Sequence, residues 1–131
     1  MYDIEETGYG YCITLEGFLQ RDEAAALLAE MTRRVRPREG GFALLIDLRA
    51  SRAIPAEAQE VLKQVLLLCK EAGMERTAMV LNSAIATLQA RRLARETGID
   101  EHIRYIDSSA ESDWEAVAHS WLDQAVEPAV K

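Results

Sequence analysis

The chain opens on two short segments with strand-like patterning. Tyr2 and Ile4 alternate with acids over residues 2–6, and residues 9–15, Tyr-Gly-Tyr-Cys-Ile-Thr-Leu, are rich in β-formers. Thr7-Gly8 between them reads as a tight turn, so a β-hairpin is predicted, closed by Gly17. The period then changes. Over residues 22–35, Ala24, Leu27, Leu28, Met31 and Val35 recur at helical spacing. Asp22 and Glu23 open that helix and Arg33, Arg34 and Arg36 close it, as the helix dipole favours. Pro37 and Gly40-Gly41 stop and turn the chain.

Phe42-Ala-Leu-Leu-Ile46 is a continuous apolar run ending at Asp47, the pattern of a strand buried on both faces. A loop, Leu48 to Ile54, leads to Pro55, well suited to the first position of a helix running to about Ala72. Ala58, Val61, Leu62, Val65, Leu66, Cys69 and Ala72 form its apolar face, Leu67 and Leu68 widen it, and Gly73 follows as the turn residue. Thr77-Ala-Met-Val-Leu81 predicts another buried strand, and Asn82 or Ser83 can cap a third helix over roughly 84–97 that ends at Gly98. Ile103-Arg-Tyr-Ile106 is a short last strand. Ser112 and Glu115 have capping-box spacing, ahead of a helix with Trp114, Val117, Ala118, Trp121, Leu122 and Ala125 on one stripe. Alternating strands and helices predict an α/β fold: a mostly parallel sheet of about five strands, an N-terminal antiparallel hairpin and four helices. One domain is expected over residues 1–125, with 126–131 as a C-terminal tail.

Composition narrows the function classes. The 131 residues carry 15 Lys and Arg against 22 Asp and Glu, a net charge of −7, which disfavours general nucleic-acid binding. The charge is uneven. Residues 1–20 hold four acids and no base, and residues 107–131 hold six acids and one Lys, together −9. The middle, 21–106, holds 14 bases and 12 acids, or +2. Cys12 and Cys69 lie in apolar segments without metal-ligand spacing and are read as buried thiols of a reducing compartment. The longest apolar run, Ala24–Ala29, has six residues where a spanning helix needs about 20. The N-terminus has no basic and apolar leader pattern. A cytoplasmic protein without integral membrane association is expected.

Several segments together resemble the bacterial STAS-like family, similar to anti-sigma-factor antagonists and related in fold to CRAL-TRIO lipid-binding domains. They are Ala43-Leu-Leu-Ile-Asp-Leu48, Pro55-Ala-Glu57, Gly73-Met-Glu-Arg-Thr-Ala-Met-Val-Leu81, Gln89-Ala-Arg-Arg-Leu93 and Ala118-His-Ser-Trp-Leu122. The resemblance spans about 110 residues and implies a compact domain, paired or partner-bound and not enzymatic. It also implies a switch Ser, in an Asp-Ser-Ser-Gly-like motif where the helix after the central strand begins. This chain departs there, reading Arg49-Ala-Ser-Arg-Ala-Ile-Pro-Ala-Glu57, with Ser51 in the loop and no Ser at the helix start. Asp107-Ser-Ser-Ala110 follows the last strand instead, where Ser108 and Ser109 are expected to turn the chain and help cap the last helix.

Two constellations stand out. Asp47, Arg49, Ser51 and Arg52 follow a central strand at the rim where open α/β sheets bind ligands, and Asn82 and Ser83 end the next strand on that rim. Together they can hold an anion at a helix N-terminus. The plainer reading, which carries more weight, has Asp47 and Ser83 capping turns and the arginines solvated. Arg91, Arg92 and Arg95 share a helix face that can meet an acidic partner or the acidic ends of a second copy, or be solvated beside Glu96. Trp121 is an interface candidate if exposed and a core anchor at its helical spacing. His102 and His119 have no Cys or His partner at ligand spacing, no nucleophile is placed beside either, and no Gly-rich phosphate loop occurs. No catalytic residue, metal or cofactor is expected. The leading expectation is a non-catalytic regulatory or protein-binding module, a homodimer, that recognises a protein through the rim and the second helix. The alternative is a small-ligand or lipid carrier of CRAL-TRIO-like type, its cue the apolar width of Val65–Cys69. An enzyme using Asp47 or His102 ranks third.

Overall fold

A computed structural model describes residues 1–52, 54–98 and 100–128. The elements are β1 (Tyr2–Glu6), β2 (Gly10–Leu15), α1 (Arg21–Val35), β3 (Phe42–Asp47), α2 (Ala56–Glu71), β4 (Met74–Leu81), α3 (Ala84–Thr97), a short 3-10 turn (Asp100–His102), β5 (Ile103–Asp107) and α4 (Trp114–Gln124). The five strands form one sheet in the order β1-β2-β3-β4-β5. β1 is antiparallel to β2, and every later pairing is parallel. This is the α/β architecture expected from the alternating pattern. Of the expected tail, residues 126–128 are irregular and 129–131 lie outside the described residues. No helix among the described residues is long and apolar enough to cross a membrane.

Strand order decides where the helices go. β2 to β5 are parallel neighbours that always step the same way across the sheet. Three right-handed crossovers with one stepping direction place α1, α2 and α3 on one face. Tyr11, Ile13, Leu44, Ile46, Met79 and Leu81 point into that face and pack with Leu27, Met31, Val65 and Leu66. α4 follows the last strand and covers the opposite face, where Ala43, Leu45, Ala78, Val80 and Ile106 meet Ala118, Trp121 and Leu122. The run Phe42–Ile46 is apolar throughout because it feeds both cores.

Several boundaries differ from expectation, each for a local reason. β4 begins at Met74, not Thr77, because Met74 is buried, Glu75 points to solvent and Arg76 finds a partner inside the structure. Arg76 reaches across the α4 face and donates from Nε and Nη2 to the Leu122 carbonyl at 3.1 and 2.9 Å. A sheet arginine thus serves the C-terminal end of α4, where cations are favoured. Pro55 occupies the cap position and α2 starts at Ala56. The Ser112–Glu115 capping box does not form: Asp113 is the residue before α4 and makes no side-chain cap bond. Ser108 and Ser109 turn the chain but do not cap the helix. Ser108 Oγ donates to the Leu81 carbonyl at 3.1 Å, and Ser109 donates from N and Oγ to Asp107 Oδ1 at 2.9 and 2.6 Å. In the hairpin, Gly10 has φ +150°, and a Cβ there would collide with the Ala43 carbonyl oxygen, so glycine lets β2 lie against β3.

Candidate functional site

The rim residues after β3 divide into two groups. Asp47 and Arg49 turn toward the α4 face. Arg49 clamps Asp47 from Nε to Oδ1 at 3.0 Å and from Nη2 to Oδ2 at 2.9 Å, and the Arg49 amide adds a 3.1 Å bond to Oδ1. The guanidinium also lies over the Trp114 ring, 4.1 Å from its centroid. Burial alone pushes the Asp47 carboxyl up, but the Arg49 bonds and charge outweigh it and hold it below the usual aspartate value. These two residues tie the end of β3 to the start of α4.

Ser51 and Arg52 face the loop between β2 and α1. Gly17 N donates to the Ala50 carbonyl and Arg52 N to the Gly17 carbonyl, both at 2.8 Å, forming a lone parallel bridge between Gly17 and Ser51. Arg52 lies over the Phe18 ring at 5.3 Å, and Phe18 is 53% exposed. Ser51 Oγ donates to the Arg52 carbonyl at 3.1 Å. Asn82 and Ser83 are exposed at the end of β4, and the Ser83 carbonyl accepts the first helical bond of α3 from Thr87 N at 3.0 Å. Sequence reading gave the arginines of this rim but passed over Phe18. Its signal was an aromatic residue between Gly17 and the first helix, off every apolar stripe.

The α3 arginines are exposed, but they are not equivalent. Arg92 donates to Gln59 Oε1 on α2 and lies 3.9 Å from Glu96, while Arg91 lies over the Tyr105 ring at 5.3 Å. Trp121 is the core anchor: it is 6% exposed, and its Nε1 donates to the Thr77 carbonyl at 3.1 Å. Its ring therefore gives no exposed interface, because α4 turns it into the sheet. His102 is exposed in the 3-10 turn.

A cleft that the sequence reading missed opens on the α4 face. α4 lies against β3, β4 and β5, and its cover gives out over β2. The resulting cleft, of about 550 Å³, is bounded by Glu5, Tyr9, Cys12, Asp47, Trp114 and His119. Tyr9 and His119 rings stand 5.7 Å apart. Burial, reinforced by the neighbouring thiol, pushes the Tyr9 hydroxyl up to about 12. Burial likewise raises the Cys12 thiol, with Asp47 and Glu5 adding to it. Both groups stay protonated near neutrality, so Tyr9 and Cys12 offer the cleft a neutral hydroxyl and thiol rather than a thiolate nucleophile. Among the described residues no group of three or more His, Cys, Asp or Glu is placed to hold a metal ion. The apolar space between the sheet and the helices, lined by Ile13, Leu48, Ile54, Val65, Leu66 and Met79, measures about 50 Å³. Ligand pockets span roughly 300–1,000 Å³. The segment Val65–Cys69, the cue for a carrier, instead fills the core, with Cys69 fully buried and Leu67 turned outward.

Neither a scan against protein-family models nor a search of curated proteins finds a match to the chain.

Proposed function

We propose that this protein is a non-catalytic regulatory module of STAS-like type, working in a bacterial cytoplasm by binding a protein partner at the rim after β2 and β3. The observation that carries the reading is the Phe18–Arg52 pair. Two loops from neighbouring strands are tied by paired backbone bonds, and the tie holds out an aromatic ring with a guanidinium over it. The fold gains little from an aromatic side chain that is 53% exposed. Rigid aromatic and arginine side chains are the groups that dominate binding energy at protein interfaces. Preorganisation by the Gly17–Ser51 bridge lowers the ordering cost of such a contact.

The mechanism is surface recognition with no covalent step. Where an anti-sigma antagonist carries its switch Ser, this chain begins α2 with Ala56, so the reading includes no phosphorylation at the helix start. The test is affinity capture from native extract by the intact protein, beside Phe18→Ala and Arg52→Ala. Both variants are expected to keep the thermal stability of the parent and to lose the captured partner. Retention of the same partner by both variants would remove the rim from the proposal.

A further inference from the structure

The cleft beside α4 is a trough whose floor and walls follow from the strand register. Glu5 on β1 pairs across the sheet with Cys12 on β2, and Cys12 pairs with Leu45 on β3. Paired residues share a face, so these three form one row on the α4 side of the sheet. α4 covers the sheet from Leu45 onward and leaves the row open over β2 and β1. Trp114 sits by Arg49 and His119 by Tyr9, so the helix runs along the trough from one end to the other. Cys12 and Leu45 make the floor, with Glu5 on the β1 wall and Glu115 on the α4 wall.

Charge is lopsided in this trough. Glu5, Asp47 and Glu115 line it against a single guanidinium, that of Arg49. Arg49 is already engaged: it binds both Asp47 oxygens and lies over the Trp114 ring. Glu115 is close enough to feel the Arg49 charge, yet no ion pair joins them. Asp3 lies on the same face of β1, in the row that pairs Thr14 with Asp47. Among the described residues, no ion pair reaches Asp3, Glu5 or Glu115. The field is therefore negative, which repels anions and gathers cations. The remaining surface is unlike a metal site, because the floor is apolar at Leu45, the Cys12 thiol stays protonated and the ends are aromatic rings, Tyr9 and Trp114. Hard metal ions take six or more oxygen ligands, and the described acids bring no such group together.

We propose that this trough binds a small organic amine, an ammonium group carried on a short carbon body. Glu5 and Glu115 supply the carboxylates that face the ammonium from the two walls. The neutral Tyr9 ring adds a face that attracts cations, and Leu45 takes the carbon body. The volume of about 550 Å³ lies within the range of small-molecule sites, which run to roughly 300–1,000 Å³. Binding involves no covalent step. The rim at Phe18 and Arg52 takes no part, so the inference stands apart from the proposed function.

Titration of the intact protein with phenethylamine, followed by NMR shifts, tests it. The amine is expected to bind with a Kd of about 1 mM or tighter. Shifts should be confined to the hairpin turn around Tyr9, the floor at Cys12 and Leu45, and the start of α4. Phenethyl alcohol, the neutral isostere, should bind at least about tenfold more weakly, and phenylacetate should not bind. Glu5→Gln and Glu115→Gln should each weaken the amine about threefold or more, and the double variant about tenfold, with thermal unfolding unchanged. At an amine concentration about four times the Kd, alkylation of Cys12 should slow about fivefold. A parent protein that binds no phenethylamine, an alcohol that binds as tightly as the amine, carboxamide variants that bind like the parent, or Cys12 labelling that the amine does not slow would each overturn the inference. Phe18→Ala should bind the amine like the parent, and none of these outcomes bears on partner capture at the rim.

Discussion

On one face of the sheet, α1, α2 and α3 cover the strands, and Leu27, Met31, Leu44 and Leu81 beneath them are almost wholly buried. On the other face, α4 covers β3 to β5 and leaves Cys12, Tyr9 and Glu5 beside an open cleft. The same strands supply both surfaces, because successive side chains alternate between them. The difference comes from counting covers: three crossover helices fall on one side, and one terminal helix of 11 residues is left for the other. Stability is thereby concentrated on the first face, and polar groups are tolerated on the second.

The sharpest contrast between the faces is kinetic. Cys12 is half-buried beside the cleft, whereas Cys69 is fully buried on the inner face of α2, where burial pushes its thiol up to about 12. Thiol labelling of the native protein should modify Cys12 alone. Cys69 should react only through opening of the structure, slower by roughly a thousandfold or more. Comparable labelling rates would show that α2 does not seal its face. Next, Leu44→Ala should cost about 2–5 kcal/mol in denaturant unfolding. Cys12→Ala on the open face should cost under about 1 kcal/mol. Equal losses would break the comparison.

Within the covered half of the α4 face, Trp121→Phe keeps an aromatic ring, though a smaller one, and strands the Thr77 carbonyl that Nε1 now serves at 3.1 Å. A loss of about 1–3 kcal/mol is expected in the same unfolding measurement. The smallest effect belongs to Asp47. Its folded carboxyl is held below the ordinary value by Arg49, so its contribution is complete above the unfolded aspartate pKa and disappears as pH falls through the folded value. Asp47→Asn should lower stability by about 1 kcal/mol or less at neutral pH. The gap from the parent should close in acid, as followed by unfolding at stepped pH. A gap that widened in acid would show that Arg49 does not set this carboxyl.

Local patterns made much of this legible. The stripe Ala24, Leu27, Met31, Val35 is the buried face of α1, and the bare run Phe42–Ile46 is the strand shared by both cores. Arg76 was opaque, because a charged residue near the start of a strand is satisfied only by the end of a helix 46 positions later. Phe18 and the cleft were opaque for a related reason. Whether an aromatic is exposed, or a strand face is left bare, depends on which distant element arrives over it.

The sequence by itself determined the alternation of strands and helices, and with it the handed crossovers and the mostly parallel sheet. Periodicity is a local property, and crossover chirality follows from the L-residue backbone. Only the tertiary structure decided that Arg49 faces Trp114 while Arg52 faces Phe18, although three positions separate them. It alone decided that Trp121 closes a core and that the acids Asp3, Glu5 and Glu6 of β1 lie along one edge of the sheet. Those outcomes depend on strand order and on the reach of a single final helix, which no window along the chain contains.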